Sequence, residues 1–140
     1  PGVAPGSNDN SLVLRVTKGA VSMLLTGDIE EAGLPWLLRR QEVLPATVLK
    51  VPHHGSRLGA GGSELFRLTR PHLALLSVGR AHHLPAPETL DTITHSGAVL
   101  FSTQQQGAIQ LRTDGTHLEV RAFRGRPTWQ PVLADAVGRS

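Results

Sequence analysis

Val48-Leu49-Lys50-Val51-Pro52-His53-His54-Gly55-Ser56 is the stretch on which the reading of this chain turns. The β-branched, apolar run over 47–51 has the composition of a buried strand, and it stops at Pro52, which has no N–H to give a sheet ladder. Two imidazoles, a glycine and a hydroxyl follow at once. An open α/β sheet places its ligands in the loops just past its strand ends, so these residue types stand where chemistry is done. Imidazole is the commonest protein ligand for zinc and related metals and binds as the neutral ring. Adjacent histidines point in different directions, so one of His53 and His54 is expected to ligate while the other meets substrate or supports its neighbour. The plain alternative is a polar surface turn with two incidental histidines.

Upstream and downstream the pattern repeats. Leu24-Leu25-Thr26-Gly27-Asp28 is an apolar strand that delivers a carboxylate just past its last residue, where it can ligate or bridge a hard divalent cation. The local pattern also fits a helix cap, because Asp28-Ile29-Glu30-Glu31 has the form of a capping box with Asp28 as N-cap and Glu31 reaching back. Ser77-Val78-Gly79-Arg80-Ala81-His82-His83-Leu84-Pro85 ends a third apolar strand, and Arg80 there is suited to a phosphate. Nothing local decides which of His82 and His83 faces inward. His72, His95 and His117 stand alone and read as surface or helix-end histidines.

The rest of the chain supplies a frame for three such loops. Its 140 residues suit one domain, and the absence of cysteine excludes a disulfide scaffold and any thiolate metal site. The longest apolar runs, such as 73–78, are far short of the roughly 20 residues that a bilayer demands. A net charge of +3 is a weak signal, and no run of like charges or aromatic interleaving in the sequence strengthens it into a nucleic-acid footprint. Residues 1–10 and 127–140 read as linker and tail, with the domain between them at 11–126. Period-two patterning predicts a hairpin around Lys18-Gly19, and later strands over 47–51, 72–78, 99–102, 108–112 and 118–123. Helices are expected over 29–41, over 63–68 with Ser63 as cap, and over 87–95 behind Pro87. Strands alternating with helices, then a terminal meander, describe a layered α/β domain.

Asn8-Asp9-Asn10-Ser11-Leu12-Val13-Leu14, Leu24 to Glu30, Leu49 to Ser56, Pro87-Glu88-Thr89-Leu90 and Gln106-Gly107-Ala108-Ile109 follow one another in an order and spacing that resembles the metallo-β-lactamase superfamily. Within it, the likeness is to the domain at the C-terminus of the ComEC family of DNA-uptake channel proteins. The resemblance implies the C-terminal half of a four-layer αββα metallo-β-lactamase fold. It implies that Asp28 bridges two divalent metals, zinc or manganese, that His54 completes one metal's sphere, and that His53 lies nearer the substrate. His83 is the implied counterpart of a further site histidine, with His82 as the fallback, and Ser56 and Arg80 would contact substrate.

The same resemblance implies a metal-dependent nuclease or phosphodiesterase that degrades the non-transported strand of incoming DNA. Its partners would be single-stranded DNA, the N-terminal half of the domain and a membrane channel. The parent protein would sit in the bacterial cytoplasmic membrane, with this soluble domain on its outer face. Two rivals stay open: a structural or DNA-docking module using Arg57, Arg67, Arg70 and Arg80, and a hydrolase for another phosphodiester or ester. The superfamily's His-x-His-x-Asp-His loop is absent from these residues, so the chain looks like half of a domain, exposing a face for its missing half or burying it against a second copy. Asp28 and His54 alone are fewer than the three ligands of a catalytic zinc site. The isolated chain is therefore expected to bind zinc or manganese weakly or not at all and to be inactive, and tight stoichiometric binding in a calorimetric titration would refute this.

Overall fold

The computed structural model describes residues 8–80, 83–125 and 127–133. It opens with an antiparallel hairpin, β1 (Leu14–Lys18) against β2 (Val21–Leu25), reversing at Gly19 with a φ of +56° that glycine adopts freely. Strands then alternate with helices: α1 (Leu34–Leu38), β3 (Val48–Lys50), α2 (Gly59–Thr69), β4 (Leu73–Leu76), α3 (Pro87–Ser96) and β5 (Val99–Ser102). From β2 to β5 the strands pair in parallel and in chain order. Every crossover therefore steps the same way, and right-handed crossovers place α1, α2 and α3 on one face. After the single turn α4 (Thr103–Gln106) comes a second, antiparallel sheet of β6 (Ile109–Thr113), β7 (Leu118–Ala122) and β8 (Gln130–Leu133).

Alternation along each strand sorts the side chains into two cores. Leu24, Leu49, Ala74 and Leu76 face the helices and pack with Leu34, Leu37, Leu65, Phe66 and Ile93. On the other face, Val21, Val48, Leu73 and Phe101 meet Leu118, Val120 and Ala122 of the second sheet. The result is three layers, helices on sheet on sheet, and the fold is α/β as the pattern predicts. Not all of the first sheet is covered. Leu12, Leu14 and Val16 alternate along the opening hairpin and are 74%, 47% and 55% exposed. Among the described residues, no helix is long and apolar enough to cross a membrane.

Several boundaries differ from expectation for identifiable reasons. The helix expected over 29–41 is only Leu34–Leu38, with Pro35 in its first turn. Ahead of it the N–H groups of Glu30 and Gly33 both donate to Asp9 Oδ1 at 2.8 Å, which holds that segment as a turn. α2 begins at Gly59, four residues before the expected Ser63 cap. Its glycines are packing devices: a Cβ on Gly61 would lie 3.0 Å from Leu34 Cδ1, and one on Gly62 would lie 2.8 Å from Leu58 Cβ. In the stretch read as a tail, Gln130–Leu133 forms β8, with Val132 packed on the second core. In the stretch read as a linker, Asn8–Asn10 forms a turn.

Leu49 is fully buried at the centre of the parallel strands. Leu49→Ala is expected to cost about 2–5 kcal/mol in urea unfolding, whereas Leu12→Ala, on the exposed hairpin face, should cost under about 0.5 kcal/mol.

Candidate functional site

Because β2, β3 and β4 are parallel neighbours, the three loops singled out in the sequence emerge side by side at one end of the sheet. Short-range bonds tie them together. Buried Thr26 donates its hydroxyl to the Lys50 carbonyl at 2.8 Å, and Lys50 Nζ donates to the Gly27 carbonyl at 2.9 Å. Gly55 O accepts from the Ala86 N–H at 2.8 Å, which draws the end of the third loop against the second.

The loop after β3 is bent in an unusual way. His53, His54 and Gly55 follow one another with φ of +43°, +54° and +81°. Left-handed backbone is uncommon for residues with a Cβ and costs on the order of 1 kcal/mol or more at each, so two successive histidines held there mark a position over-determined by its surroundings. The turn aims His54 across the sheet end. Its Nδ1 lies 2.7 Å from the Ser77 carbonyl, and its Nε2 lies 3.5 Å from Asp28 Oδ1. Lys50 Nζ stands 3.8 Å from the same carboxylate oxygen. Burial pulls the Lys50 pKa below its usual value, and the negative charge of Asp28 opposes that shift.

His53 turns elsewhere. Its Nδ1 is 3.1 Å from Glu30 Oε1, off the line that a hydrogen bond needs, so this buried nitrogen has no hydrogen-bond partner. Its Nε2 is 3.4 Å from Asn8 Nδ2, and that amide donates to Glu30 at 2.8 Å. Ser56 Oγ is likewise buried without a hydrogen bond. Asp28 does not cap a helix: α1 begins behind Gly33 with no side-chain cap, and the Asp28 N–H donates to Ser11 Oγ at 3.0 Å. Its carboxylate is therefore left to face His54 and Lys50.

The structure thus brings Asp28 and His54 together and sets His53 against Glu30. His83 is exposed in the turn before Leu84, and Arg80 is exposed just past the third strand. His82 lies outside the described residues. The four arginines do not form the single patch that the docking reading expected. Arg57 pairs with Glu88 at 2.8 Å and Arg67 pairs with Glu64, while Arg67 and Arg70 lie toward the far end of α2, more than about 10 Å along its axis from the histidine loop. Asn8, Asp9, Ser11, Glu30 and Lys50 were not singled out as site residues. Asn8-Asp9-Asn10-Ser11 was visible as a motif, but only the fold reveals that its side chains brace the turn carrying Asp28 and Glu30. No group of three or more His, Cys, Asp or Glu placed to hold a metal ion occurs among the described residues.

Comparison with known proteins adds an independent line. The chain is 36% identical over 107 residues to ComE operon protein 3 of Bacillus subtilis and 32% identical over 106 residues to competence protein ComA of Neisseria gonorrhoeae. This chain is related to competence proteins. The alignments take in 75% and 74% of the chain but only 14% and 15% of those two relatives. An uncharacterized Escherichia coli protein, YcaI, is 32% identical over 133 residues, 89% of this chain and 18% of that protein. The competence-related chain thus spans less than a fifth of each of these three relatives. No protein-family model and no solved structure matches it.

Gly55 is where the loop geometry is most exposed to test. A Cβ there would lie 2.7 Å from both Leu76 Cδ1 and Pro85 Cβ, at a φ that L residues avoid. Gly55→Ala should lower unfolding free energy by about 1 kcal/mol or more. An unchanged urea midpoint would contradict the close packing of the three loops.

Proposed function

We propose that this chain is the C-terminal part of a metal-dependent phosphodiesterase or nuclease domain in a protein of DNA uptake, and that Asp28 and His54 hold metal there. The 3.5 Å approach of His54 Nε2 to Asp28 Oδ1 carries this reading. A carbonyl can only accept, so the bond to Ser77 places the proton of a neutral ring on Nδ1 and turns the lone pair of Nε2 toward the carboxylate. Two acceptors facing each other call for a cation between them. A tetrahedral zinc with bonds of about 2.0–2.1 Å has donor-to-donor edges of about 3.4 Å, which this pair matches. The Ser77 carbonyl behind His54 is the kind of outer partner that orients a ligating imidazole.

Two protein ligands supply one edge of a coordination sphere, and the rest must come from sequence beyond this chain. The metals, once bound, would polarise a phosphate and provide hydroxide at neutral pH. Around them this chain's residues bind and orient. Ser56, Arg80 and His83, on the loops that follow β3 and β4, are the proposed phosphate contacts. His53, with Glu30 Oε1 3.1 Å from its Nδ1, is the histidine proposed to lie nearer the substrate. Single-stranded DNA is the proposed substrate, and the kinship with competence proteins supports DNA uptake as its setting. The second-sheet architecture and the uncovered hairpin face fit one half of a larger layered domain.

The test uses the domain completed by its N-terminal half, assayed on single-stranded DNA with manganese. Asp28→Ala should reduce cleavage about 100-fold or more, because outer-shell partners alone are commonly worth 10–100-fold. Full activity in that variant, or in the presence of a chelator, would sink the metal reading and favour a docking role.

A further inference from the structure

The second sheet has an outer face that the site does not use. Alternation along β7 sends Leu118, Val120 and Ala122 into the core, so Glu119 and Arg121 point away from it, as Gln110 and Arg112 do on β6. Trp129, just before β8, lies over this face. The Arg112 guanidinium sits 4.3 Å from its ring centroid and the Arg121 guanidinium sits 4.7 Å from it. Phe123 follows Arg121 by two positions and is 78% exposed. It lines a cavity of about 340 Å³ together with Gln110, Arg121 and Pro127.

The charges on this face are incompletely answered. Arg112 is paired with Glu119, whereas Arg121, which bonds to the side-chain oxygen of Gln110, has no carboxylate partner among the described residues. Arg124, in the turn past the end of β7, is exposed and makes no ion pair among the described residues. Sharing one indole holds the two stacked guanidiniums within about 9 Å of each other, inside the roughly 10 Å Debye length of 0.1 M salt, so they repel, and the Glu119 carboxylate on Arg112 offsets that repulsion only in part. An anion laid along the face relieves that repulsion. A clasp that merely held Trp129 to the sheet would not need an exposed phenyl ring on the same face. Cations interleaved with accessible rings suit a ligand that carries both phosphates and flat bases.

We propose that the outer face of the second sheet, through Arg112, Arg121, Phe123 and Trp129, binds a single-stranded polynucleotide. Phosphates lie against the arginines and an unstacked base lies on Phe123. A duplex keeps its bases stacked on one another and cannot offer them to the ring. This surface is independent of the Asp28 and His54 cluster and needs no metal.

Fluorescence anisotropy of a labelled twelve-nucleotide oligothymidylate, titrated with the 140-residue chain in chelator and low salt, tests it. Saturable binding is expected, with quenching of tryptophan emission and an affinity that falls linearly with salt on logarithmic axes. Phe123→Ser should weaken binding about fivefold or more, the low end for loss of one base-to-aromatic stack, while near-ultraviolet circular dichroism and melting stay unchanged. Arg121→Gln should weaken it as a second, separate variant. No binding, unchanged affinity in both variants, or equal competition by a duplex or by polyglutamate would overturn the proposal. Because chelator is present throughout, failure here leaves the metal reading standing, and the converse also holds.

Discussion

The bond between the His54 imidazole and the Ser77 carbonyl joins the loop after β3 to the end of the strand beside it, and the geometry of this end of the sheet depends on it. It exists only because His53, His54 and Gly55 take up left-handed backbone, a conformation that two of the three residues would not choose alone. The surroundings supply the compensation. Pro85 and Leu76 close on Gly55 so tightly that no Cβ fits, and the Ala86 N–H bonds to its carbonyl. With the ring so held, the nitrogen that remains free has one neighbour to face, the carboxylate of Asp28.

That carboxylate is available because other groups do the work it could have done. The turn after β2 presents amides that a capping aspartate commonly satisfies, and here Asp9 takes two of them and Ser11 takes the N–H of Asp28 itself. The core below provides the rigidity. Leu24, Leu49 and Leu76, on three neighbouring parallel strands, are each almost wholly buried against the helix layer, so the strand ends that carry the loops are fixed relative to one another. A site built on such ends inherits the precision of the sheet.

What could be read in the sequence was whatever rests on local pattern. The runs at 47–51 and 72–78 are apolar and short, and both are strands because nothing else buries so much in so few residues. The three strand-end clusters were legible for the same reason. What could not be read depends on partners far away in the chain. The cap reading of Asp28 fails because Asp9 arrives from nearly twenty residues upstream. The early start of α2 is hidden by Gly59, Gly61 and Gly62, poor helix formers locally, of which Gly61 lets Leu34 come close and Gly62 lets Leu58 do so. The strand β8 looked like a tail because Trp129 is held by arginines from two other strands. The arginine and aromatic pattern of the outer face was invisible for that reason too.

In the function proposed above, Asp28 and His54 form one edge of a metal sphere. Anomalous diffraction from crystals of the completed domain grown with zinc, recorded on both sides of the zinc absorption edge, tests it most directly. An anomalous peak is expected within about 2.0–2.2 Å of both Asp28 Oδ1 and His54 Nε2. Zinc bound elsewhere, with that pair still facing each other across an empty gap, would contradict it.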